Sequence, residues 1–124
     1  MAKHDLFAIA SNSAAKDTDR IAALKELLLD VEGDVAIASR VADLAAKIVL
    51  DRSDNLLVRQ HAAQELALYP RPSSADDLIP VLCDADEDID LRVNLLDAFQ
   101  QWHHPSRNKL GDSLGQNDPL NSYL

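Results

Sequence analysis

The densest set of groups that could do chemistry is an acidic run that begins at Asp84, in which aspartates alternate with other residues. Alternating carboxylates bind calcium in EF-hand loops, which require a glycine at the sixth position. A loop that starts at Asp84 has Ile89 at that position, and one that starts at Asp86 has Leu91 there. The run is therefore predicted to be a polar turn and not a calcium site. Its acids are expected to cap the following helix and to pair with Arg92.

Histidine and cysteine are the other candidate ligands. His103 and His104 are adjacent, and adjacent positions on a regular helix do not face one ion. With no CxxC or HExxH spacing in the chain, no metal site is predicted, and both histidines are expected to be solvated at a frayed helix end. Cys83 is the single cysteine, which excludes an intrachain disulfide, and its apolar neighbours predict an inert buried thiol.

No motif for catalysis is present in the sequence. His61 has no nucleophile motif near it and is predicted to be exposed, and no phosphate-binding glycine loop or nucleophile elbow occurs. The expected protein is therefore not an enzyme and carries no cofactor.

A repeated pattern organises the middle of the chain. Arg20, Arg59 and Arg92 stand 39 and 33 residues apart, a period typical of stacked helical repeats. The positions one before and three, four, seven and ten after each arginine fall within an arc of about 140° on a helix, which predicts a core-facing stripe. Arg20 begins a weaker copy, which has apolar residues only at Ala23-Leu24 and Leu27. The two strong copies of the pattern are Val58-Arg59, Ala62-Ala63, Leu66 and Tyr69, and Leu91-Arg92, Leu95-Leu96, Phe99 and Trp102.

The three arginines are predicted to be structural. Each lies at the edge of its stripe, where the stem packs on apolar neighbours and the guanidinium reaches an acceptor on the next repeat. An unpaired charge there would be costly, so the arginines are expected to bind backbone or carboxylate oxygens. Asp51 and Asp84, each eight residues before an arginine, are predicted to be structural residues of the turns.

Helix, aspartate turn, and helix with Val-Arg or Leu-Arg near its start is a pattern that resembles HEAT-repeat proteins over about residues 17–102. The closest correspondence is Leu78-Ile79-Pro80-Val81-Leu82, then Asp84, then Leu91-Arg92. The resemblance implies an all-α fold, a short right-handed α-α solenoid of about three HEAT-like helix pairs. The repeat domain is expected over residues 1–102, with an irregular tail over 103–124 whose leucines cap the last repeat.

Helix boundaries follow from capping residues, glycine and proline. The expected helices span about 2–10, 17–30, 34–50, 55–69 and 88–102, with a further helix capped by Ser73 or Ser74. Pro80 is expected to bend that further helix. Only three glycines and few β-branched or aromatic residues occur, which favours helices over strands.

The net charge of −9 argues against nucleic acid as the partner, since a nucleic-acid-binding surface is basic. The acidic excess is greatest between residues 70 and 102. The alternative interpretation is that the surplus carboxylates only keep a small protein soluble and indicate no partner. No leader pattern and no apolar run of membrane-spanning length is present, so the protein is expected to be cytoplasmic and not bound to a membrane.

The resemblance implies that the second helices of the pairs line a shallow concave face. The function expected from it is a small non-catalytic protein–protein interaction module, an adaptor, regulator or immunity-like inhibitor, which binds a partner protein with a basic surface. The alternatives are an enzyme or accessory protein similar to HEAT-like bilin lyases, and a simple solvated helix face. HEAT-like DNA glycosylases need a basic face, which the charge disfavours. The predicted binding residues are Lys25, His61, Gln64, Asn94, Asp97 and Gln101.

Overall fold

The structure, a computed structural model, describes residues 3–30, 34–105 and 110–123, and over these residues it is all-α with no strand. Its α-helices are α1 (Lys3–Ser11), α2 (Asp17–Asp30), α3 (Val35–Leu50), α4 (Leu56–Leu66), α5 (Ile79–Leu82), α6 (Ile89–Gln101) and α7 (Leu110–Ser113). Two 3-10 helices complete the described part, Ala75–Leu78 and Pro119–Tyr123. The predicted all-α class is therefore confirmed.

Short polar side chains start the longer helices. The Asp34 carboxylate accepts the N–H of Ile37 at the start of α3, and Asp88 does the same for Leu91 in α6. Asn55 accepts two backbone N–H groups of α4. These bonds satisfy amides that have no partner within the helix, and they fix where each helix begins.

The helix expected after Ser74 is divided rather than bent. A 3-10 helix over Ala75–Leu78 passes directly into α5, in which Pro80 occupies the first turn. Proline is tolerated there, because the N–H that it lacks would have no acceptor in the first turn. None of the helices in the described ranges is long and apolar enough to cross a membrane.

The helices pack as consecutive pairs: α1 with α2, α3 with α4, and α5 with α6. The second helices also contact one another in succession, α2 with α4 and α4 with α6, while α1 contacts α3, and α3 contacts the first 3-10 helix. One continuous apolar core runs through all the pairs. The second helices therefore form one layer, and the first helices form the other.

Each arginine of the repeated pattern is the fourth residue of a second helix, and its Nε donates to the carbonyl ten residues earlier. The three bonds measure 3.0 Å from Arg20 to Ala10, 3.2 Å from Arg59 to Val49 and 2.8 Å from Arg92 to Leu82. All three carbonyls lie in the last turn of a first helix, where carbonyls have no partner within the helix and attract a cation. The arginine thus ties the two helices of its own pair together.

The same guanidinium also reaches forward to a carboxylate in the next turn. Arg20 binds both Asp54 oxygens at 2.6 and 2.7 Å, and Arg59 binds both Glu87 oxygens at 3.0 Å. Arg92 binds Asp118 at 2.6 Å. Each carboxylate side chain is at most 8% exposed. We call these three groupings the arginine clamps; each joins a helix pair to the element that follows it.

One expectation about the clamps is wrong. The acidic turn before α6 does not pair with Arg92: its Glu87 binds Arg59 of the preceding pair, because the guanidinium points forward along the stack. Arg92 instead binds Asp118, a residue of the tail. Asp51 and Asp84 bind no clamp arginine; Asp51 accepts the N–H and hydroxyl of Ser53, and Asp84 accepts the N–H of Asp86 and pairs with Arg52.

The tail is more regular than expected and packs against the last pair. It contains α7 and the second 3-10 helix, which contacts α6. Leu110, Leu114 and Leu120 are buried in the common core, whereas Leu124 lies outside the described residues. Because Asp118 holds Arg92 while these leucines cover apolar surface, the tail closes the C-terminal end of the stack.

Candidate interaction surface

The clamp arginines set α2, α4 and α6 in a common register, which places the predicted binding residues in rows. Counting from each arginine, the fifth following residue is Lys25, Gln64 or Asp97. The second following residue is His61 in α4 and Asn94 in α6. These positions lie opposite the core stripe, on what we call the outer face of the second helices.

Most of the predicted binding residues are open to solvent. Lys25, Gln64, Asp97 and Gln101 are exposed, and Asn94 is half-buried. His61 differs from expectation, since only 17% of its side chain is exposed and its Nε2 lies 2.9 Å from an oxygen of Glu65. The outer face is therefore accessible along all three second helices, but His61 contributes only part of its ring.

Three exposed leucines of α2, α4 and the turn after α4 were not among the binding residues predicted from the sequence. Leu29 of α2 and Leu68, in the turn after α4, both stand nine residues after their arginine and are 77% and 65% exposed, and Leu57 of α4 is 57% exposed. Gln101 occupies the equivalent position in α6. Their exposure could have been predicted, because on a helix the position nine residues after the arginine falls outside the core stripe. Large apolar side chains without a buried role are typical of interaction surfaces.

The α6 part of the face forms a shallow depression of about 270 Å³. Asn94 and Asp97 line it together with Val93, Leu96, Gln100 and the tail residue Tyr123, whose ring is half-exposed. An exposed carboxylate beside an exposed aromatic ring suits a partner that offers both a cation and apolar surface.

Hydrogen bonds donated by side chains hold α4 and α6 side by side. Gln60 of α4 donates to Asp88, the cap of α6, at 2.8 Å. At the other end the Trp102 indole donates to the carbonyls of Leu66 and Tyr69 at 3.2 and 3.0 Å. The outer face is thus carried on helices that are fixed at both ends, which preorganises it for binding.

A buried polar cluster lies behind His61. Glu65 is 4% exposed, and its second carboxylate oxygen has no hydrogen-bond partner within the described residues; the same is true of the Tyr69 hydroxyl. Burial, with Glu65 adding to it, raises the pKa of Tyr69, so the phenol stays protonated. Nothing in this cluster provides a nucleophile beside a base, and its unpaired oxygen makes it a cost to stability.

His104 contradicts the expectation of two solvated histidines. Helix α6 ends with His103 in the left-handed conformation (φ 52°), and the N–H groups of His103 and His104 bind the carbonyls of Gln100 and Phe99. This reversal folds His104 onto the Phe99 ring and buries it, with Nε2 2.7 Å from Asp76. His103 is exposed.

The acidic turn uses its carboxylates in structure. Asp84 and Glu87 bind arginines, and Asp88 caps α6, where hydrogen bonds from Gln60 and the backbone lower its pKa. Across the described part of the chain, no three histidine, cysteine or acidic side chains gather as metal ligands. Burial raises the pKa of the Cys83 thiol, which keeps it in the unreactive protonated form.

Comparison with known proteins adds no relative to this picture. The chain matches no protein-family model, no curated protein and no solved structure.

Proposed function

We propose that this protein is a small non-catalytic interaction module, built as a short right-handed solenoid of about three HEAT-like helix pairs, and that it binds a partner protein on its outer face. The stacking of the pairs and the recurrence of the arginine clamps support the architecture. The function is supported by the surface described above.

The observation that carries the proposal is the exposure of two leucines at the same distance from their arginines, Leu29 in α2 and Leu68 in the turn that follows α4. Neither side chain contributes to the core. Each exposes apolar surface to water, which is unfavourable in free energy. An exposed polar residue stands four positions before each leucine, Lys25 in α2 and Gln64 in α4, and Asp97 is exposed on α6. Apolar anchors within a polar rim are the usual anatomy of a protein interface.

The charge of the face indicates the chemistry of the partner. Asp90 and Asp97 are exposed on α6, close to the acidic turn, whereas Lys25 is the one cation among the predicted binding residues. A partner with lysine or arginine around an apolar patch complements this arrangement. Such complementarity acts mainly on the rate of association and on specificity, so binding is expected to weaken as salt concentration rises.

The test begins with the immobilised protein and a lysate of its source organism, and the retained protein is purified for titration. Two variants of the outer face are compared with the parent: the double change Leu29→Ser with Leu68→Ser, and the threefold change of Gln64, Asn94 and Asp97 to alanine, which keeps His61 because its ring bonds the buried Glu65. Each is expected to weaken binding at least tenfold, about 1.4 kcal/mol, while the melting temperature stays close to that of the parent.

A matched control lies on the first-helix layer, where Ser39 and Lys47 of α3 are both exposed. Their double change to alanine is expected to leave affinity within twofold. If this control loses binding while the outer-face variants retain it, the site belongs to the other layer and the proposal fails.

A further inference from the structure

The N-terminal end of the stack lacks the cover that every other pair has. Six residues after the clamp arginine stand Glu26 in α2, Glu65 in α4 and Ala98 in α6. Glu65 and Ala98 are 4% and 0% exposed, because a preceding second helix packs on that side, whereas Glu26 is exposed. Ala22 and Glu26 on this side of α2 are exposed, and none of the described helices packs against them.

The uncovered side is concave and has an apolar floor. It forms a groove of about 380 Å³ between α1 and α2, in which Leu6 and Ala23 form the floor and Ile9 and Ala22 line the wall. The exposed carboxylates of Asp19 and Glu26 line the rim. We call this feature the end groove. In the described structure, neither rim carboxylate has a hydrogen bond to a side chain or an ion pair.

We propose that the end groove is a second docking site, separate from the outer face, which takes an amphipathic helical segment of another protein whose apolar residues are flanked by lysine or arginine. The helical form follows from the interior of the molecule, where the matching side of α4 receives the helix α2. A helix that lays its apolar side into a groove is a common mode of peptide recognition. The flanking cations would pair with the two carboxylates of the rim.

A second copy of this chain fits the groove poorly. Two copies joined by their end grooves would bring four rim carboxylates together, which repel one another. Stacking of one copy's C-terminal end on another's N-terminal end is blocked, because the tail covers that C-terminal end and Asp118 already holds Arg92. The occupant is therefore a different chain that supplies positive charge.

The clamp pattern also indicates that the occupant binds reversibly. Asp54 and Glu87 each stand five residues before a clamp arginine and receive the arginine of the preceding pair. The corresponding position before Arg20 is Ala15, which lies beside the end groove and has no carboxylate to offer. An incoming helix thus meets apolar contacts and exposed charges but no buried clamp, which suits an exchangeable contact.

The test uses the full-length, isotope-labelled protein and a synthetic 14-residue helical peptide with leucines along one side and lysines flanking them. Nuclear magnetic resonance titration is expected to show saturable shifts at the amides of Ile9, Ala22 and Glu26. Ala22→Arg fills the groove and opposes the peptide charge, so it should weaken binding at least tenfold with an unchanged melting temperature. Ala85→Arg, the same change at an exposed alanine of the turn before α6, should stay within twofold of the parent.

A matched peptide with glutamate in place of every lysine should show no saturable binding. The proposal is overturned if neither peptide binds at millimolar concentration, if the glutamate peptide binds as well as the lysine peptide, or if Ala85→Arg weakens binding as much as Ala22→Arg. Sedimentation that shows self-association abolished by Ala22→Arg would assign the groove to a second copy and overturn it as well. These outcomes leave the outer-face proposal untouched, since that proposal is tested with other residues.

Discussion

The two ends of this molecule are built differently. At the C-terminal end Arg92 and Asp118 form a clamp with side chains only 1% and 2% exposed, and leucines of the tail cover the last pair. At the N-terminal end Ala15 stands where the other pairs have an acid, and the end groove lies open. The closed end depends on an internal ion pair for stability, whereas the open end leaves its carboxylates to solvent.

This difference shows that a repeated sequence pattern need not have the same consequence at each copy. Arg20 sits in the same register as Arg92, with the same type of bond to a helix carbonyl. What differs is the neighbour beyond each copy. A position at the end of a stack is therefore open to solvent, while the equivalent interior position is buried and contributes to stability.

Acidification is expected to have the largest effect, because it acts on all three clamps at once. Hydrogen bonds from the arginines lower the pKa of Asp54, Glu87 and Asp118 below their ordinary values. The unfolded chain therefore takes up protons first as pH falls, so the clamp contribution is fully present above about pH 5 and is lost progressively below about pH 4. Urea unfolding followed by circular dichroism at pH 7, 5, 4 and 3 measures this; a flat stability across that range would contradict it.

Breaking the closed end alone is expected to have the next largest effect. Asp118→Ala leaves the Arg92 guanidinium buried without its carboxylate, which should cost roughly 3 to 5 kcal/mol. Asp19→Ala at the open end removes a carboxylate without a partner and should change stability by less than about 0.5 kcal/mol. Equilibrium unfolding of both variants compares the two ends directly, and equal losses would refute the distinction between them.

Removing an interior arginine should cost less than breaking the closed end. Arg59→Ala frees the Val49 carbonyl and Glu87, and it should destabilise the protein by roughly 1 to 3 kcal/mol. Glu87 keeps a second cation, Arg52, at 3.6 Å, which moderates the loss. If Arg59→Ala melts like the parent but fails to bind the purified partner, the arginine acts in binding and its structural role is disproved.

The smallest effect is expected for the matched glutamates of α2 and α4. Glu65→Ala removes a buried oxygen that has no partner within the described residues, and Ala98 occupies the equivalent position of α6. The variant should be about 1 kcal/mol more stable than the parent. Glu26→Ala, at the open end, should be neutral within about 0.5 kcal/mol. Thermal unfolding separates the two; destabilisation by Glu65→Ala would mean that its bond to His61 outweighs the unpaired oxygen.

The helices themselves were predictable from the sequence, because their signals are local. The caps of α3, α4 and α6 and the apolar stripes can be read within a few residues. The clamp partners could not be assigned in this way. Glu87 and Asp118 lie 28 and 26 residues after their arginines, and only the stacking of successive elements selects them among many carboxylates.

The surfaces show the same division. The rows of outer-face residues follow from the shared register of the arginines, which the sequence contains. The burial of His104 depends on the left-handed backbone conformation of His103, which is rare for a residue other than glycine. The chain tolerates this conformation because the His104 ring then packs on Phe99. The end groove is open because no described helix packs on that side of the first pair. The residues of a single helix do not determine which other helices pack against it.

The forward reach of the clamps gives the chain an order of completion during synthesis. Each arginine leaves the ribosome before the acid that it needs, and Arg92 precedes Asp118 by 26 residues. At about 5 to 20 residues per second, that interval lasts roughly 1 to 5 seconds. Throughout it the newest helix pair holds a cation without its counterion. A nascent chain released before Asp118 would keep that defect, so the third clamp forms only after this part of the tail has been made.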